Sequence, residues 1–421
     1  MQYKNKTFII IISIYIIFII AASGTARAEN ISEKQPYKDN EILVKFKNAS
    51  PEFLENFSDI FNLTCLSEKN PTGKENYFLF SLNDTSSVAQ KIREVKKYPR
   101  VKKAQPNYIY RPAKKKSQQD PFFGRQWWIL NDGSAGLAGA DICLPGLWPS
   151  EQKTWASVII GIIDTGVYLK HTDLKKNIVA GYDFVHGSKK NKNITDKDGH
   201  GTFIAGLIAA QVNNKKGIAG LSRTNRLKIM PLKFDFSTDQ AVTALSYARE
   251  RGVRIINISW GTNEYDGALY EAIKNFPGLI VAAAGNEAAE HTSENHFFPC
   301  DFDLDNILCV GASSESDLIT SYSDYGVTYV DILAPGGEES PLISLGLKKN
   351  RYVSGEGTSY ATALTSGAAG MVLSANPSIS NAEIKDSIIN NARQKTELAD
   401  KVFSSGILNI KAAVNRENAL Q

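Results

Sequence analysis

The chain has 421 residues, of which 43% are hydrophobic, and its formal net charge at pH 7 is only +4. A chain of this length can bury at least one large core, and so small a charge argues against nucleic acid as a partner. The lysines at 114–116 fit a solvated linker better than a binding patch. The sequence has no phosphate-binding loop and no dinucleotide-binding glycine pattern, so nucleotide chemistry has no support.

The N-terminal segment has the pattern of a signal peptide. Lys4 and Lys6 precede the apolar run Phe8–Ala22, and Ala26-Arg27-Ala28 has small residues at the two positions that signal peptidase reads. We therefore predict that residues 1–28 are removed and that the protein is secreted, into an extracellular or periplasmic compartment. An uncleaved membrane anchor is the alternative, although the run is short for a membrane span.

The next segment, as far as Pro112, is predicted to form a separate small α+β domain. Glu41–Phe46 and Tyr77–Leu82 alternate like half-buried strands, and Ser87–Tyr98 has the apolar spacing of a helix. Residues 113–119 are rich in Lys and Gln, which predicts an exposed linker of the kind that proteases cut.

The remainder of the chain, residues 120–421, alternates short apolar runs with helical segments. This pattern predicts an α/β fold of three layers, with a mainly parallel central sheet between helices. The predicted strands are Val158–Ile163, Ile178–Phe184, Leu227–Leu232, Arg254–Ser259, Leu279–Ala284, Ile307–Val310 and Val330–Leu333.

Three short motifs supply an acid, a base and a nucleophile in that order. Asp164 in Asp-Thr-Gly follows a buried strand, His200 lies between two glycines at the start of an apolar helix, and Ser359 in Gly-Thr-Ser precedes a helix of small residues. A serine hydroxyl becomes a good nucleophile when an imidazole removes its proton and a carboxylate orients that imidazole. Each motif alone is weak evidence, but their order is one of the three known for such a triad.

These motifs resemble those of the subtilisin-like serine peptidases, or subtilases, from about Asp120 to Ala413. A fourth element, Ala282-Ala283-Ala284-Gly285-Asn286, matches the segment that carries the oxyanion asparagine of that family. The resemblance implies a serine endopeptidase that hydrolyses protein or peptide substrates through an acyl-enzyme intermediate. Asp164 would orient His200, His200 would act as base and then as acid, and Ser359 would be the nucleophile. Asn286 and the Ser359 backbone N–H would bind the oxyanion.

Two other interpretations remain open. The chain could be a catalytically inactive, exported relative that acts as a binding module, which the intact set of four residues disfavours. It could also be a sedolisin-like peptidase with a carboxylate base, which His200 in its full motif disfavours. Tyr360 and Ala363 stand where the family usually has methionine and proline, from which we expect a slightly looser helix start and retained activity.

The resemblance also assigns the small domain. Val101–Tyr110 resembles the end of the inhibitor-type propeptide that precedes subtilase catalytic domains. Residues 29–112 would then template folding and occupy the active site as an intramolecular inhibitor until they are cut away. The alternative is a permanently attached accessory domain. We expect the mature enzyme to be a monomer.

A structural calcium ion is the cofactor that the resemblance implies. Carboxylate, amide and carbonyl oxygens are the ligands that calcium prefers, and two aspartates and one loop resemble the strong calcium site of the family. The expected ligands are Asp120, Asp173, Val212, Asn214, Lys216 and Ile218. Against this interpretation, Asp173 and Asn214 could be plain turn residues, and two lysines reduce the negative charge of the loop.

The family's pocket for the residue before the scissile bond has two walls and a floor. Here the walls correspond to Ser259-Trp260-Gly261 and Ala283-Ala284-Gly285, the floor to Phe297, and the rim to Glu287. We predict a shortened pocket with a weaker preference for large aromatic residues, and some tolerance for Lys or Arg through Glu287. The alternative is that Phe297 packs into the core beneath a normal pocket.

The chain has four cysteines. Export permits disulfides, and Cys300 and Cys309 are close enough in sequence to clamp a loop, so we predict a bridge between them. Cys143 would then be unpaired in the mature enzyme. The alternative, that all four are small buried hydrophobic residues, stays open.

Overall fold

The structure is a computed structural model, and it describes residues 37–66, 77–108, 120–148, 151 and 154–416. The predicted signal peptide at 1–28 and the predicted linker at 113–119 lie outside the described residues. The chain divides into two compact units, Met1–Lys116 and Ser117–Gln421. Within the described part of the chain, no helix combines the length and the apolar character that a membrane span requires.

The N-terminal unit pairs an antiparallel sheet with two helices. Its elements are β1 (Tyr37–Phe46), α1 (Pro51–Phe61), β2 (Leu63–Cys65), β3 (Tyr77–Leu82), α2 (Val88–Val95) and β4 (Val101–Tyr108). The sheet has the strand order β2-β3-β1-β4. Phe46, Phe57 and Phe80 are fully buried between sheet and helices, where the rings of Phe46 and Phe57 meet edge to face at 4.8 Å. The predicted strands and the predicted helix of this unit are confirmed, whereas α1 and β2 were not predicted.

The C-terminal unit alternates strands and helices along most of its length. Its elements are two 3-10 helices (Phe123–Arg125 and Thr396–Leu398), α3 (Leu144–Leu147), β5 (Val158–Asp164), β6 (Tyr182–Asp183), α4 (Asn191–Ile194), α5 (His200–Ala209), β7 (Leu227–Lys233), α6 (Thr238–Glu250), β8 (Ile255–Ile258), α7 (Gly267–Lys274), β9 (Leu279–Ala283), β10 (Ile307–Ser313), β11 (Ile332–Pro335), β12 (Leu342–Leu345), β13 (Tyr352–Gly355), α8 (Thr358–Ala375), α9 (Asn381–Asn390), β14 (Arg393–Gln394), β15 (Gly406–Ile407) and α10 (Ile410–Asn415).

The central sheet changes the direction of its strand order at β5. The order is β14-β15-β11-β10-β9-β8-β5-β7-β6, and all pairs are parallel except β14 with β15 at one edge. The chain leaves β5 for β6 and β7 on one side and then continues with β8 on the other. Open α/β sheets bind ligands in the crevice that forms at the carboxyl ends of strands at such a point.

Two hydrophobic clusters cover the two faces of this sheet. Ile160 and Ile162 of β5 pack with α5 and α8 on one face, and Ile163 packs with α6 and α7 on the other. The predicted three-layer α/β fold with a mainly parallel sheet is therefore confirmed. Small residues dominate α8, which allows this long helix to lie buried along most of its length.

One predicted strand is wrong over most of its length. The run Ile178–Phe184 forms a strand only at Tyr182–Asp183, preceded by a single bridge between Ile178 and Ile229. The neighbouring strand β7 contains Pro231, which has no N–H to donate and therefore interrupts the ladder. The sequence prediction also missed the antiparallel hairpin formed by β12 and β13, and the short pair β14 and β15.

Candidate active site

The acid and the base of the predicted triad meet where β5 ends and α5 begins. The Nδ1 atom of His200 lies 2.9 Å from both carboxylate oxygens of Asp164. Asp164 is fully buried, and the His200 side chain keeps 27% of its surface exposed. Because Nδ1–H donates to the carboxylate, Nε2 is left as the acceptor, which is the tautomer that a general base needs.

The surroundings of His200 favour its protonated form. Burial opposes protonation of the ring, but the charge and the hydrogen bond of Asp164, aided by Asp198 and Asp196, outweigh burial and raise the pKa of His200 above 6.5. The carboxylate that orients the ring would therefore also stabilise an imidazolium at this position.

The first turn of α5 is held by Asp196, which is not one of the predicted site residues. The buried Asp196 accepts hydrogen bonds from the backbone N–H of Gly199 at 3.0 Å and from the N–H and hydroxyl of Thr202 at 3.0 and 2.6 Å. Asp196 lies three residues before the N-cap residue Gly199, outside the N-cap position, so the usual capping signal does not identify it. Asp196 thus fixes the backbone that carries the base.

Gly201 lies where the first turn of α5 meets the turn that follows Asp164. In the structure a Cβ atom on Gly201 would overlap the carbonyl of Gly166 and lie 3.0 Å from Asp164 Oδ1. Glycine at 201 therefore lets the helix pack against the turn that follows the acid.

Ser359 is the second residue of α8 and is tied to the end of β8. Its hydroxyl donates to the Ser259 carbonyl at 3.1 Å, and the Ser259 hydroxyl donates to the Ser359 carbonyl at 3.0 Å. Beneath them, Asn257 Nδ2 donates to Ser259 Oγ at 2.9 Å, and Ser366 Oγ donates to Asn257 Oδ1 at 3.0 Å. Among the described residues, the Ser359 hydroxyl is thus hydrogen-bonded to Ser259 and not to His200. In serine hydrolases the hydrogen bond between serine and histidine is often long in the absence of substrate and shortens when substrate binds.

The orientation of the Asn286 amide follows from its partners. Its Oδ1 atom accepts from the backbone N–H of Thr358 at 2.9 Å and from the Thr358 hydroxyl at 3.0 Å. A backbone N–H must face an acceptor, so the oxygen faces Thr358 and the NH2 group is the part that remains for a ligand. Asn286 is exposed and lies beside the residue that precedes Ser359.

The loop that carries Asn286 is held from behind by Asp324. One oxygen of Asp324 accepts from the backbone N–H groups of Glu287 and Ala289, each at 2.8 Å, and the N–H of Asp324 donates to the Gly285 carbonyl at 3.1 Å. Gly285 has φ +117°, and a Cβ atom there would overlap the Asp324 carboxylate. Asp324 gave no sequence signal, because it follows Asn286 by 38 positions.

The predicted pocket walls and floor are brought together. The Phe297 ring lies against both Gly261 and Gly285, so that a Cβ atom on Gly261 would overlap it and one on Gly285 would lie 3.5 Å away. The two chain segments are joined by reciprocal backbone hydrogen bonds between Thr262 and Phe298, at 2.9 and 2.7 Å. Ser259, Ala283 and Ala284 are buried, Trp260 donates from Nε1 to the Ile163 carbonyl at 2.7 Å, and Glu287 is exposed.

A cavity of about 410 Å³ lies beside His200, which forms part of its lining. Phe203, Leu347, Val353 and Tyr360 supply apolar walls. The Tyr360 ring stacks on Phe203 at 4.1 Å between centroids and lies 6.1 Å from the His200 ring. Tyrosine in place of the usual methionine therefore forms part of the wall beside the base.

Asp173 is the centre of the predicted calcium site. It is buried, and its oxygens accept from Asn214 Nδ2 at 2.6 Å, from the Ile218 N–H at 3.0 Å and from the Tyr352 hydroxyl at 3.2 Å. Burial, with a smaller contribution from Asp120, raises the pKa of Asp173 to about 7. A Cβ atom on Gly217 would overlap the Tyr352 ring, so the loop lies directly against this tyrosine.

Asp120 anchors the same loop from the other side. Its carboxylate accepts from the backbone N–H groups of Asn213 at 2.7 Å and Lys215 at 2.9 Å. The carbonyl oxygens of Val212, Lys216 and Ile218 accept no hydrogen bond from any residue that the structure describes. Carbonyl and carboxylate oxygens are the ligand types that calcium prefers, so this loop and Asp173 offer suitable atoms.

The sulfur atoms of Cys300 and Cys309 are at bonding distance, with their Cα atoms 5.1 Å apart. The pair joins the segment after Phe297 to β10, as the sequence leads us to expect. Cys143 is a free cysteine and is half-buried.

The sequence is similar to that of known serine proteinases. Residues 156–408 match the model of the subtilase family, and residues 23–107 match the model of the fervidolysin N-terminal prodomain. The chain is 27% identical to the thermophilic serine proteinase of Bacillus sp. (strain AK1), over 95% of this chain and 92% of that protein. It is 33% identical to the thermitase of Thermoactinomyces vulgaris, over 66% of this chain and 92% of that protein.

Two solved structures share the fold. One is a protease from Pseudoalteromonas arctica PAMC 21717, with a TM-score of 0.59 and 24% identity, over 70% of this chain and 98% of that chain. The other is the epidermin leader peptide processing serine protease from Staphylococcus aureus, with a TM-score of 0.57 and 19% identity, over 90% of this chain and 99% of that chain.

Proposed function

Because this chain belongs to the subtilase family and is a serine endopeptidase with an N-terminal prodomain, we propose that it cleaves its substrates through Asp164, His200 and Ser359. The observation that carries this proposal is the pairing of Asp164 with His200 Nδ1 at 2.9 Å. This pair lies at the point where the sheet changes its strand order, and Ser359 lies in the first turn of a helix whose dipole favours negative charge.

The reaction begins when the Ser359 hydroxyl leaves the Ser259 carbonyl and gives its proton to His200 Nε2. Its oxygen attacks the scissile carbonyl, and the resulting oxyanion receives hydrogen bonds from Asn286 Nδ2 and the Ser359 N–H. His200 then protonates the leaving amine, and water releases the acyl group by the same steps in reverse. One oxyanion donor is worth roughly 3 to 4 kcal/mol of transition-state stabilisation.

The proposed precursor is an exported zymogen. Residues 1–28 direct secretion, and residues 29–112 act as an intramolecular inhibitor that the enzyme removes by cutting itself between about Tyr110 and Asp120. The match to a subtilase prodomain supports the second part of this proposal. The mature enzyme works as a monomer on protein substrates and not on nucleic acid.

We also propose a stabilising calcium ion. Asp173 and the carbonyl oxygens of Val212, Lys216 and Ile218 would hold it. Asn214 would join them once its amide turns, because its Oδ1 accepts from the Lys216 N–H at 2.7 Å in the structure. Asp120 would brace the loop through the two N–H groups from which it accepts hydrogen bonds. When bound, calcium supplies positive charge beside a buried carboxylate, and it takes no part in peptide hydrolysis.

Replacement of the nucleophile tests the proposed function. We expect Ser359→Ala to accumulate as a chain that keeps residues 29–112, while wild type and the control Ser378→Ala, which changes an exposed serine, mature normally. Mass spectrometry gives the cut site. Maturation of Ser359→Ala in a protease-free refolding mixture would rule out self-processing.

Labelling with a serine-directed organophosphonate provides the second arm of this test. We expect the label on Ser359 of mature wild type and on no other residue. A protein that stays unlabelled after its propeptide is removed would instead be a binding module.

A further inference from the structure

His291 is a buried histidine that the proposed mechanism leaves unused. Its Nδ1 lies 2.7 Å from Asp301 Oδ1, and its Nε2 lies 3.7 Å from Asp324 Oδ2. The side chains of all three residues are at most 3% exposed. A neutral imidazole donates from one nitrogen only, so it would turn a lone pair toward one of the two carboxylates. The arrangement therefore favours the imidazolium form.

The electrostatic surroundings agree with this geometry. Burial opposes protonation, but the carboxylates of Asp301 and Asp324 outweigh it and raise the pKa of His291 to about 9. The other titratable group in contact is His296, whose Nδ1 lies 3.2 Å from Asp301 Oδ2. The neighbouring Glu290 is exposed to solvent. At neutral pH one buried cation thus lies between two buried anions.

Both anions hold parts of the active site. Asp324 bonds to the backbone on both sides of Asn286. Its N–H donates to the Gly285 carbonyl, and its carboxylate accepts from the N–H groups of Glu287 and Ala289. Asp301 Oδ2 accepts from the Phe297 N–H at 2.9 Å, and so holds the ring that lies between the pocket walls. Among the described side chains, His291 is the only one that forms ion pairs with both carboxylates.

We propose that His291 is a positioning residue for Asn286: its positive charge keeps Asp324 against the loop 285–289 and so keeps the Asn286 amide directed at the oxyanion. Loss of that charge leaves the carboxylates of Asp301 and Asp324 buried with no cation between them, and burying an unpaired charge is costly. We expect Asp324 to shift in response. The loop bonded to Asp324 moves with it. This inference rests on the proposed oxyanion role of Asn286.

A double-mutant cycle separates positioning from general structural support. We expect His291→Gln to lower kcat about tenfold or more at neutral pH with little change in KM, because the oxyanion contact strengthens in the transition state. In the Asn286→Ala background the same change should lower kcat less than about threefold. His186→Gln is the control, because His186 also bonds a buried aspartate, Asp183, at 2.8 Å but lies away from the site. It should leave kcat unchanged.

A second variant, Asp324→Asn, tests the same inference if His291→Gln does not fold. Asp324→Asn retains an oxygen that can accept from Glu287 and Ala289 but removes one of the two charges that hold the proton on His291. We expect kcat to fall at high pH in wild type, and to fall at a lower pH in Asp324→Asn.

The outcomes distinguish this inference from the proposed function. The positioning role would be wrong if His291→Gln lowers kcat by the same factor in wild type and in Asn286→Ala. It would also be wrong if Asp324→Asn leaves the fall of kcat at high pH unmoved. Neither result would contradict the proposed triad. An Asn286→Ala enzyme with full kcat would overturn the oxyanion role first, and the inference with it.

Discussion

The Phe297 ring lies so close to Gly261 that a Cβ atom on that glycine would overlap it. The ring also approaches Gly285, so it lies between the two segments that we propose as walls of the pocket for the residue before the scissile bond. A large side chain of the substrate would have to displace this ring.

Removal of the ring should change specificity. We expect Phe297→Gly to raise the ratio of kcat/KM for a phenylalanine substrate over an alanine substrate by about tenfold or more, because contacts in such pockets are worth about 1 to 3 kcal/mol each. Cleavage of matched peptides measures the ratio. Phe403→Gly, which removes an exposed phenylalanine, should leave it unchanged. An unaltered ratio in Phe297→Gly would mean that the ring packs beneath a normal pocket.

The pH profile should report His200. The ring must be neutral to accept a proton, and its pKa is raised above 6.5, so kcat/KM should fall as pH falls through a value above 6.5. Asp198 contributes to the raised pKa through its charge, and it also accepts the His200 N–H at 3.1 Å. Asp198→Asn should therefore move the acid limb to lower pH and preserve kcat. A limb that stays in place would contradict the assignment of His200 as the base.

Calcium should stabilise the fold. Saturation at about 100 times the Kd should add roughly 2.7 kcal/mol to the free energy of unfolding, and a strong chelator should remove it. Melting curves with and without chelator measure the difference. Asp173→Asn should melt at the same temperature in both conditions, because the central carboxylate is gone. If the chelator leaves the melting temperature of wild type unchanged, the proposal of a stabilising calcium ion is wrong.

The bridge between Cys300 and Cys309 should also contribute to stability. Closing so short a loop removes chain entropy from the unfolded state worth about 2 to 3 kcal/mol. We expect a reductant to lower the melting temperature of wild type and of Cys143→Ala equally, and to have no effect on the double variant Cys300→Ala/Cys309→Ala. Equal sensitivity of all three proteins would show that the reductant acts elsewhere.

The parts of the fold that the sequence predicts are those with a local signal. β5 is a continuous apolar run, and α5 and α8 follow glycine-bearing motifs, so their positions can be read from neighbouring residues. β6 could not be predicted correctly, because its shortness depends on Pro231 in a partner strand. The helix α1, which was not predicted, does carry a local signal, the capping Ser50 followed by Pro51.

The same division holds in the site. Asp164, His200, Ser359 and Asn286 each belong to a recognisable motif. Their supports, among them Asp324 and the hydrogen-bonded row of Asn257, Ser259 and Ser366, come from distant segments, and only the folded chain brings them together. A polar residue that is buried through long-range contacts has no periodic signature in a single sequence.

The contact between Gly217 and Tyr352 bears on how long the enzyme stays active. Tyr352 also donates to Asp173, and its chain neighbour Val353 lines the cavity beside His200. If the loop at 212–218 opens, it releases this tyrosine and the strand β13 that shapes the cavity. Such local opening costs less free energy than global unfolding. We therefore expect opening of this loop to shorten the working half-life at high temperature, because cleavage of the open loop by another copy of the enzyme would be irreversible.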